Sequence, residues 1–246
     1  AAAAAGDKIW LAGSVLAGDD PELGTSVLQY DGSNWFYQGP AHAFNGVIWD
    51  VEYFDNTIWV AGVFDSVAGQ PAKGIARWNG SAWEEVDGGL GSEGFPGAGY
   101  ELVIDPSDST IVVAGSFLLG GGMPTRNVAK YTATGWQTYN DVYPLGADPA
   151  EGGIVTAMDI GPGGTIYVGG NFDGALAKFE SNFWEFVDRG EFEGAWKLNA
   201  LHVQGCDLYL GGLNLYFDSG DGNEFVDFLR LSDGVVTVPD YDLDNE

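Results

Sequence analysis

A five-residue phrase recurs along the chain: Ile9-Trp10-Leu11-Ala12-Gly13, Ile58-Trp59-Val60-Ala61-Gly62, Ile111-Val112-Val113-Ala114-Gly115, Ile166-Tyr167-Val168-Gly169-Gly170 and Leu208-Tyr209-Leu210-Gly211-Gly212. Its last glycine steps by 49, 53, 55 and 42 residues. A fixed period of this length means one supersecondary unit copied along the chain, each copy burying its apolar face against the next. Whatever the chain folds into must therefore be an array of similar modules.

Two further phrases fill out the module. One reads Val27-Leu28-Gln29-Tyr30-Asp31-Gly32-Ser33-Asn34-Trp35, then Ile75-Ala76-Arg77-Trp78-Asn79-Gly80-Ser81-Ala82-Trp83. It returns as Val128-Ala129-Lys130-Tyr131 leading to Trp136, and as Leu176-Ala177-Lys178-Phe179 leading to Trp184. The last copy, Phe228-Leu229-Arg230-Leu231, has Val236 in place of the tryptophan. The constant gap predicts a hairpin. Asp31-Gly32 and Asn79-Gly80 tolerate positive φ and suit a type I′ turn, while Gly135 and Gly234 stand one place later. The tryptophan opens the outer strand, where its ring can cover a neighbouring sheet. The other phrase precedes the glycine pair: Val47–Val51, Tyr100–Ile104, Ile154–Met158 and Leu198–His202, each closed by a turn such as Asp55-Asn56 or Gly161-Pro162-Gly163-Gly164.

Each module thus holds four strands, and 39 glycines with 14% aromatic residues suit a turn-rich β chain. No long segment has helical periodicity. The reading is all-β: a β-propeller of five blades, each of four antiparallel strands. The blades are expected at about 7–45, 46–97, 98–152, 153–195 and 196–238, with an acidic tail over 239–246. The small Ala/Gly pair suits close backbone approach. The first blade is incomplete, or is closed by a terminal strand. Its first strand has no phrase of its own, and the featureless run Ala1 to Ala5 lies where it should run. The chain is read as a mature form or a piece of something longer.

A net charge of −27, with 36 acidic and 9 basic side chains, argues against nucleic acid and against docking on an anionic membrane. No apolar stretch approaches the roughly 20 residues that span a bilayer. Cys206 is the single cysteine, so no internal disulfide forms.

The pattern of a hydrophobic residue, Tyr or Trp, Val, Ala/Gly, Gly, any residue and Phe, followed by Ile-Ala-Lys/Arg-aromatic-Asn/Asp-Gly and a later Trp, resembles the kelch-like propeller repeats of secreted and surface-anchored bacterial proteins. It is also similar to the repeats of fungal cortical polarity markers. Trp59-Val60-Ala61-Gly62-Val63-Phe64, Ala68-Gly69, Ile75 to Gly80 and Trp83 carry the match best; Phe117 and Gly120 to Gly122 keep it in the third copy. The resemblance implies a propeller and an exterior location, and no catalytic residues. Copies four and five depart from it, at Phe172-Asp173-Gly174 and at Val236.

Candidate chemistry is sparse. Gly89-Leu90-Gly91-Ser92-Glu93-Gly94 matches GxGxxG but lacks a strand–helix context. His42, His202 and Cys206 make no evident zinc set, and there is no GxSxG elbow. Asn79-Gly80-Ser81 fits a glycosylation triplet, but its place in the repeat marks it as turn chemistry. Two acidic loops offer calcium donors: Asp218, Asp221 and Asn223 in one, and Asp240, Asp242 and Asp244, at alternate positions, in the other. A solvated acidic tail is the plain alternative for the second. Calcium is the only cofactor these residues suggest. Phe44, Phe95, Tyr100, Tyr143, Tyr216 and Phe217 are candidate ligand contacts in long loops, because aromatic rings stack on sugars and bury area in interfaces.

The expected function is a non-catalytic extracellular or surface module that binds a glycan or protein through its loop face. The alternatives are a structural subunit of an extracellular assembly, such as a virion tail, spike, appendage or sheath, and a carbohydrate-active enzyme working through a carboxylate pair.

Overall fold

In the computed structural model, each copy of the Ala/Gly phrase is the second strand of a four-stranded antiparallel sheet. The structure describes residues 1–15, 24–92, 95–105, 107–139, 153–172, 175–187, 192–218, 223–233 and 235–238. The chain divides into two units, Ala1–Tyr139 and Asn140–Glu246.

The first unit holds three repeat modules. Module one is β1 (Ala2–Ala5), β2 (Lys8–Val15), β3 (Gly24–Tyr30) and β4 (Trp35–Tyr37). Module two begins with β5 (Val47–Phe54) and β6 (Thr57–Val63). It continues through a short ladder, β7 (Ser66–Val67) and β8 (Gln70–Pro71), to β9 (Ile75–Trp78) and β10 (Trp83–Glu85). A connecting pair, β11 (Leu90–Ser92) and β12 (Phe95–Pro96), leads to β13 (Ala98–Asp105) and β14 (Thr110–Ser116) of module three. Next come β15 (Leu119–Gly120), β16 (Met123–Pro124), β17 (Val128–Thr132) and β18 (Gly135–Thr138). Strands β11, β12, β15 and β16 form a small sheet of their own, in a region the repeat phrases leave blank.

The second unit holds two modules. Module four is β19 (Ile154–Ile160), β20 (Ile166–Asn171), β21 (Leu176–Glu180) and β22 (Phe183–Phe186). Module five is β23 (Phe192–Gln204), β24 (Asp207–Asp218), β25 (Asn223–Ser232) and β26 (Val235–Thr237). Its first three strands are far longer than their counterparts, because the pairing of β24 with β25 runs out to Asp218 and Asn223.

The first module is not short of a strand. Ala2 to Ala5 pair antiparallel with Leu11 to Lys8, and the Ala12 N–H donates to the Ala1 carbonyl at 3.0 Å. The backbone supplies this ladder whatever the side chains, so a run without readable chemistry still takes the place of the first strand.

In modules two to four the recurrent glycine has a steric cause. In modules two to five the first strand carries a β-bulge, with register shifts between Ile48 and Asp50, Gly99 and Glu101, Val155 and Ala157, and Leu198 and Ala200. The bulge drives a carbonyl against the second strand. A Cβ on Gly62, Gly115 or Gly170 would lie 2.1, 2.0 and 2.0 Å from the carbonyl oxygens of Val47, Ala98 and Ile154. The close approach inferred for the Ala/Gly pair is therefore to its own sheet partner. The same glycines donate N–H bonds to the carbonyls of Gly74, Asn127 and Ala175, just ahead of the third strands, at 3.0, 2.9 and 3.1 Å.

The hairpins differ from expectation in one respect. Gly32 and Gly80 take positive φ (95° and 98°) while Asp31 and Asn79 do not. Asp31 and Asn79 act instead through their side chains: each Oδ1 accepts two backbone N–H groups, from Ser33 and Asn34 or from Ser81 and Ala82, at 2.9 Å. Paired positive φ, the mark of type I′, occurs at Asp55-Asn56 and Ser181-Asn182. Two of the tryptophans after the hairpins, Trp83 and Trp136, reach the preceding module. The Trp83 indole donates to the Gln38 carbonyl at 2.9 Å, and that of Trp136 to the Val86 carbonyl at 3.1 Å. Both rings are buried. They fix the connection between sheets as well as filling the core.

Candidate functional site

The bulges decide which side chains the first strands display. A plain strand alternates, but one extra residue places two consecutive side chains on the same face. In β5, Ile48 and Val51 are 4% and 0% exposed and face the core, whereas Trp49, Asp50 and Glu52 lie on the more open side. In β13 the bulge residue is Tyr100, in β19 Thr156 and in β23 Asn199.

Trp49 is 53% exposed, unusual for the largest apolar side chain. Its ring meets Tyr100 of the next module edge to face, with centroids 6.2 Å apart and planes at 70°. This is the favoured geometry for an aromatic pair, and it holds the indole in place while leaving it open to solvent.

Two carboxyl groups stand beside it. Asp50 Oδ1 accepts the Val51 N–H and Oδ2 the Leu102 N–H, both at 2.8 Å, so one carboxylate joins β5 to β13. Burial nonetheless pushes its pKa up to about 6. Glu52, two residues on, is pushed up to about 7, first by burial and then by the charge of Asp50. The second unit repeats the device. Asp159 Oδ1 accepts the Ile160 N–H at 2.7 Å, and Oδ2 accepts the Val203 N–H and meets His202 Nδ1, both at 2.9 Å. Counted from the bulges, Asp159 occupies the place of Glu52 and not of Asp50. Both Asp50 and Asp159 accept the N–H of the residue that follows and its equivalent in the next module. With both oxygens occupied by peptide groups, Asp50 is a clamp between modules and a poor base or nucleophile. Glu52, three residues beyond Trp49 on the same more open side of β5, has the higher pKa of the two.

Of the expected ligand contacts, Tyr100 belongs to this surface, on a strand bulge rather than in a loop. Phe44 does not. It is 5% exposed, bridges Thr25 and Val67, and packs edge-on against Phe64 and Trp83; it is core because the loop carrying it is drawn into the sheet. Phe95 pairs with Ser92 in β12, while Tyr216 and Phe217 pair with Phe225 and Glu224 in the long hairpin, so all three are strand residues. Tyr143 lies outside the described residues. Among the calcium candidates, Asp218 and Asn223 end β24 and β25 and face each other in register. Asp221, Asp240, Asp242 and Asp244 lie outside the described residues. Among the described residues, no group of three or more His, Cys, Asp or Glu could hold a metal ion. The GxGxxG stretch runs from Gly89 into β11, where Leu90 and Gly91 pair with Gly120 and Leu119, and the N–H groups of Gly89 and Leu90 donate to the Val86 and Lys73 carbonyls.

No protein-family model matches the chain, and no curated protein matches it in sequence. Solved structures do resemble it in fold, and they are β-propeller-like. The extracellular domain of a one-component system from B. thetaiotaomicron superposes with a TM-score of 0.54 at 12% identity, covering 96% of this chain and 34% of that one. A structural-genomics protein of unknown function from Bacteroides thetaiotaomicron gives 0.50 at 14%, covering 85% and 55%. YCF48 from Cyanidioschyzon merolae gives 0.50 at 14%, covering 96% and 77%. The chain spans about a third of the first of these proteins and just over half of the second. At such identities the likeness is one of fold: the chain is all-β, built of several four-stranded antiparallel sheets, and similar to β-propeller-like proteins.

Proposed function

We propose that the five modules are the blades of a five-bladed propeller, and that the protein is a non-catalytic extracellular or surface module that binds a glycan. Its binding surface is the Trp49–Tyr100 pair with Glu52 beside it. The exposed indole, held open by its neighbour, is the observation that carries the reading. A sugar presents a C–H face that stacks on such a ring and hydroxyls that donate to a nearby carboxylate. The extracellular location of one fold neighbour and the strongly acidic surface support the setting.

The test is a glycan array run with the wild type and with Trp49→Ala. Binding of a defined glycan class that falls at least tenfold in Trp49→Ala supports the reading. A blank array, with a protein captured through Trp49 instead, would replace the glycan by a protein ligand. Glycan turnover detected by the wild type would overturn the non-catalytic assignment.

A further inference from the structure

The chain has two Asn-Gly pairs, Asn45-Gly46 and Asn79-Gly80. The second sits at the tip of the β9–β10 hairpin, where Asn79, Gly80, Ser81 and Ala82 are all exposed. Trp78 and Trp83 pair across the base of the turn, and the Asn79 N–H donates to the Ala82 carbonyl at 3.1 Å. An asparagine followed by glycine is open to loss of its side-chain amide, because no Cβ on the glycine obstructs attack of its peptide nitrogen on the asparagine Cγ. In a folded chain the outcome depends on where that amide is held.

The Asn79 amide is held for attack. Its Oδ1 accepts the Ser81 N–H, the Ala82 N–H and the Ser81 Oγ–H, each at 2.9 Å. These bonds fold the side chain back over the Gly80 peptide unit. The Gly80 N–H bonds to no described residue, so nothing retains the attacking nitrogen. As that nitrogen adds to Cγ, negative charge develops on Oδ1, and a hydrogen bond to an oxyanion is stronger than one to a neutral amide oxygen. The three donors therefore favour the transition state over the resting amide.

Asn45 has the opposite setting. Its Oδ1 accepts the Asp65 and Ser66 N–H groups at 3.1 Å, and its Nδ2 donates to Asp65 Oδ1 at 2.5 Å. The amide is thus tied to a distant segment and not to its own turn. A Cβ on Gly46 would lie 1.9 Å from the Val63 carbonyl oxygen, so the following peptide is pinned as well.

The turn of module two differs from that of module one in what an acid would meet. Asp31 already fills the equivalent place in module one, where Phe36 stands opposite Gln29. In module two Glu84 stands opposite Arg77, and Glu84 Oε1 accepts from Asn79 Nδ2. Aspartate at position 79 replaces that donor with a second carboxylate.

We propose that Asn79 is a site of self-modification by deamidation, promoted by the Ser81 and Ala82 donors, and that the acid formed pushes against Glu84. The Gly80 nitrogen forms a bond to Asn79 Cγ, and the side-chain nitrogen leaves as ammonia with the proton that Gly80 gives up. Solvent water then opens the cyclic imide. Cleavage at Cγ gives aspartate; cleavage at the main-chain carbonyl carbon gives isoaspartate, in which the chain runs through the side-chain carbon. The proposal does not depend on glycan binding.

The purified full chain is incubated at mildly alkaline pH, both folded and in urea. Peptide mass mapping follows the amide-to-acid mass gain at Asn79 and Asn45, and enzymatic methylation counts isoaspartate. Folded, Asn79 should convert at least tenfold faster than Asn45; in urea, where each is a plain Asn-Gly pair, the two rates should converge. Ser81→Ala should slow Asn79 several-fold in the folded chain alone, and Ser81→Thr, which keeps the hydroxyl, should restore the rate. Equal folded rates, a preference for Asn79 that persists in urea, or a Ser81→Ala chain that converts as fast as the wild type overturns the assignment. Asn79→Asp should lower the urea midpoint, and Glu84→Gln in the same chain should recover it. An unchanged midpoint in Asn79→Asp refutes the clash with Glu84.

Discussion

Glu52→Gln should stabilise the protein at pH 8 and leave it nearly unchanged at pH 4. The carboxyl of Glu52 is raised from its ordinary 4.5 to about 7, chiefly because burial disfavours its charged form. A group whose folded-state pKa lies above its unfolded value contributes stability that is fully present below the unfolded value. That contribution is lost progressively between 4.5 and about 7, as the unfolded chain releases its proton while the folded one keeps it. At about 1.4 kcal/mol per pH unit, this window sets a ceiling of about 3 kcal/mol. The side chain is partly solvated, and some of the lift comes from Asp50, so about 1–2 kcal/mol is the expected gain from an uncharged isostere at pH 8. The measurement is the urea midpoint of both proteins at pH 4 and pH 8, with carboxyl ¹³C shifts following Glu52 directly. In Asp50→Asn the Glu52 titration should move to lower pH, since the neighbouring charge is gone. An equal gain at both pH values, or a Glu52 carboxyl that titrates at its ordinary value, would refute the reasoning.

Three further substitutions probe the frame around the site. Gly62→Ala brings a Cβ within 2.1 Å of the Val47 carbonyl oxygen and should cost about 2–4 kcal/mol by denaturant titration, whereas the open Gly69 should show no comparable clash-driven loss. Trp83→Phe removes the indole bond to Gln38 and should cost about 1 kcal/mol beyond the lost packing, readable as a lowered melting temperature. Asp159→Ala leaves the Val203 N–H without its acceptor; a loss of about 1–3 kcal/mol is expected, with exposed, faster-exchanging amides at Ile160 and Val203 in hydrogen exchange.

The repeat made the sheets legible because every strand of the module has either an apolar face or a turn residue at a fixed offset. Ala1 to Ala5 has neither, yet it pairs through its backbone, which no side-chain pattern can report. Phe44, an aromatic residue in a long stretch between repeat phrases, looks like a loop contact in sequence. Tertiary packing decides its place instead: it fills the space between Phe64 and Trp83, residues far from it in sequence. The clamp residues escaped for a different reason. Asp50 and Asp159 do the same work from positions two residues apart in the module, so lining up the copies yields no shared column.

One signal was available. In Ile48-Trp49-Asp50-Val51 the buried residues stand three apart where a strand demands two, which is how a bulge looks in sequence. The same break recurs opposite each Ala/Gly pair from module two onwards, and in modules two to four it falls where the glycine has to admit the displaced carbonyl. The glycines are therefore a secondary mark of the bulge, and the bulge is what turns a structural strand into a displaying one. It adds one side chain per module that alternation does not commit to the core. In modules two and three those free positions hold Trp49 and Tyr100 and in modules four and five Thr156 and Asn199. The frame is thus constant while the chemistry it shows differs from module to module, and the aromatic pair of the first unit is the surface on which the proposed glycan binding rests.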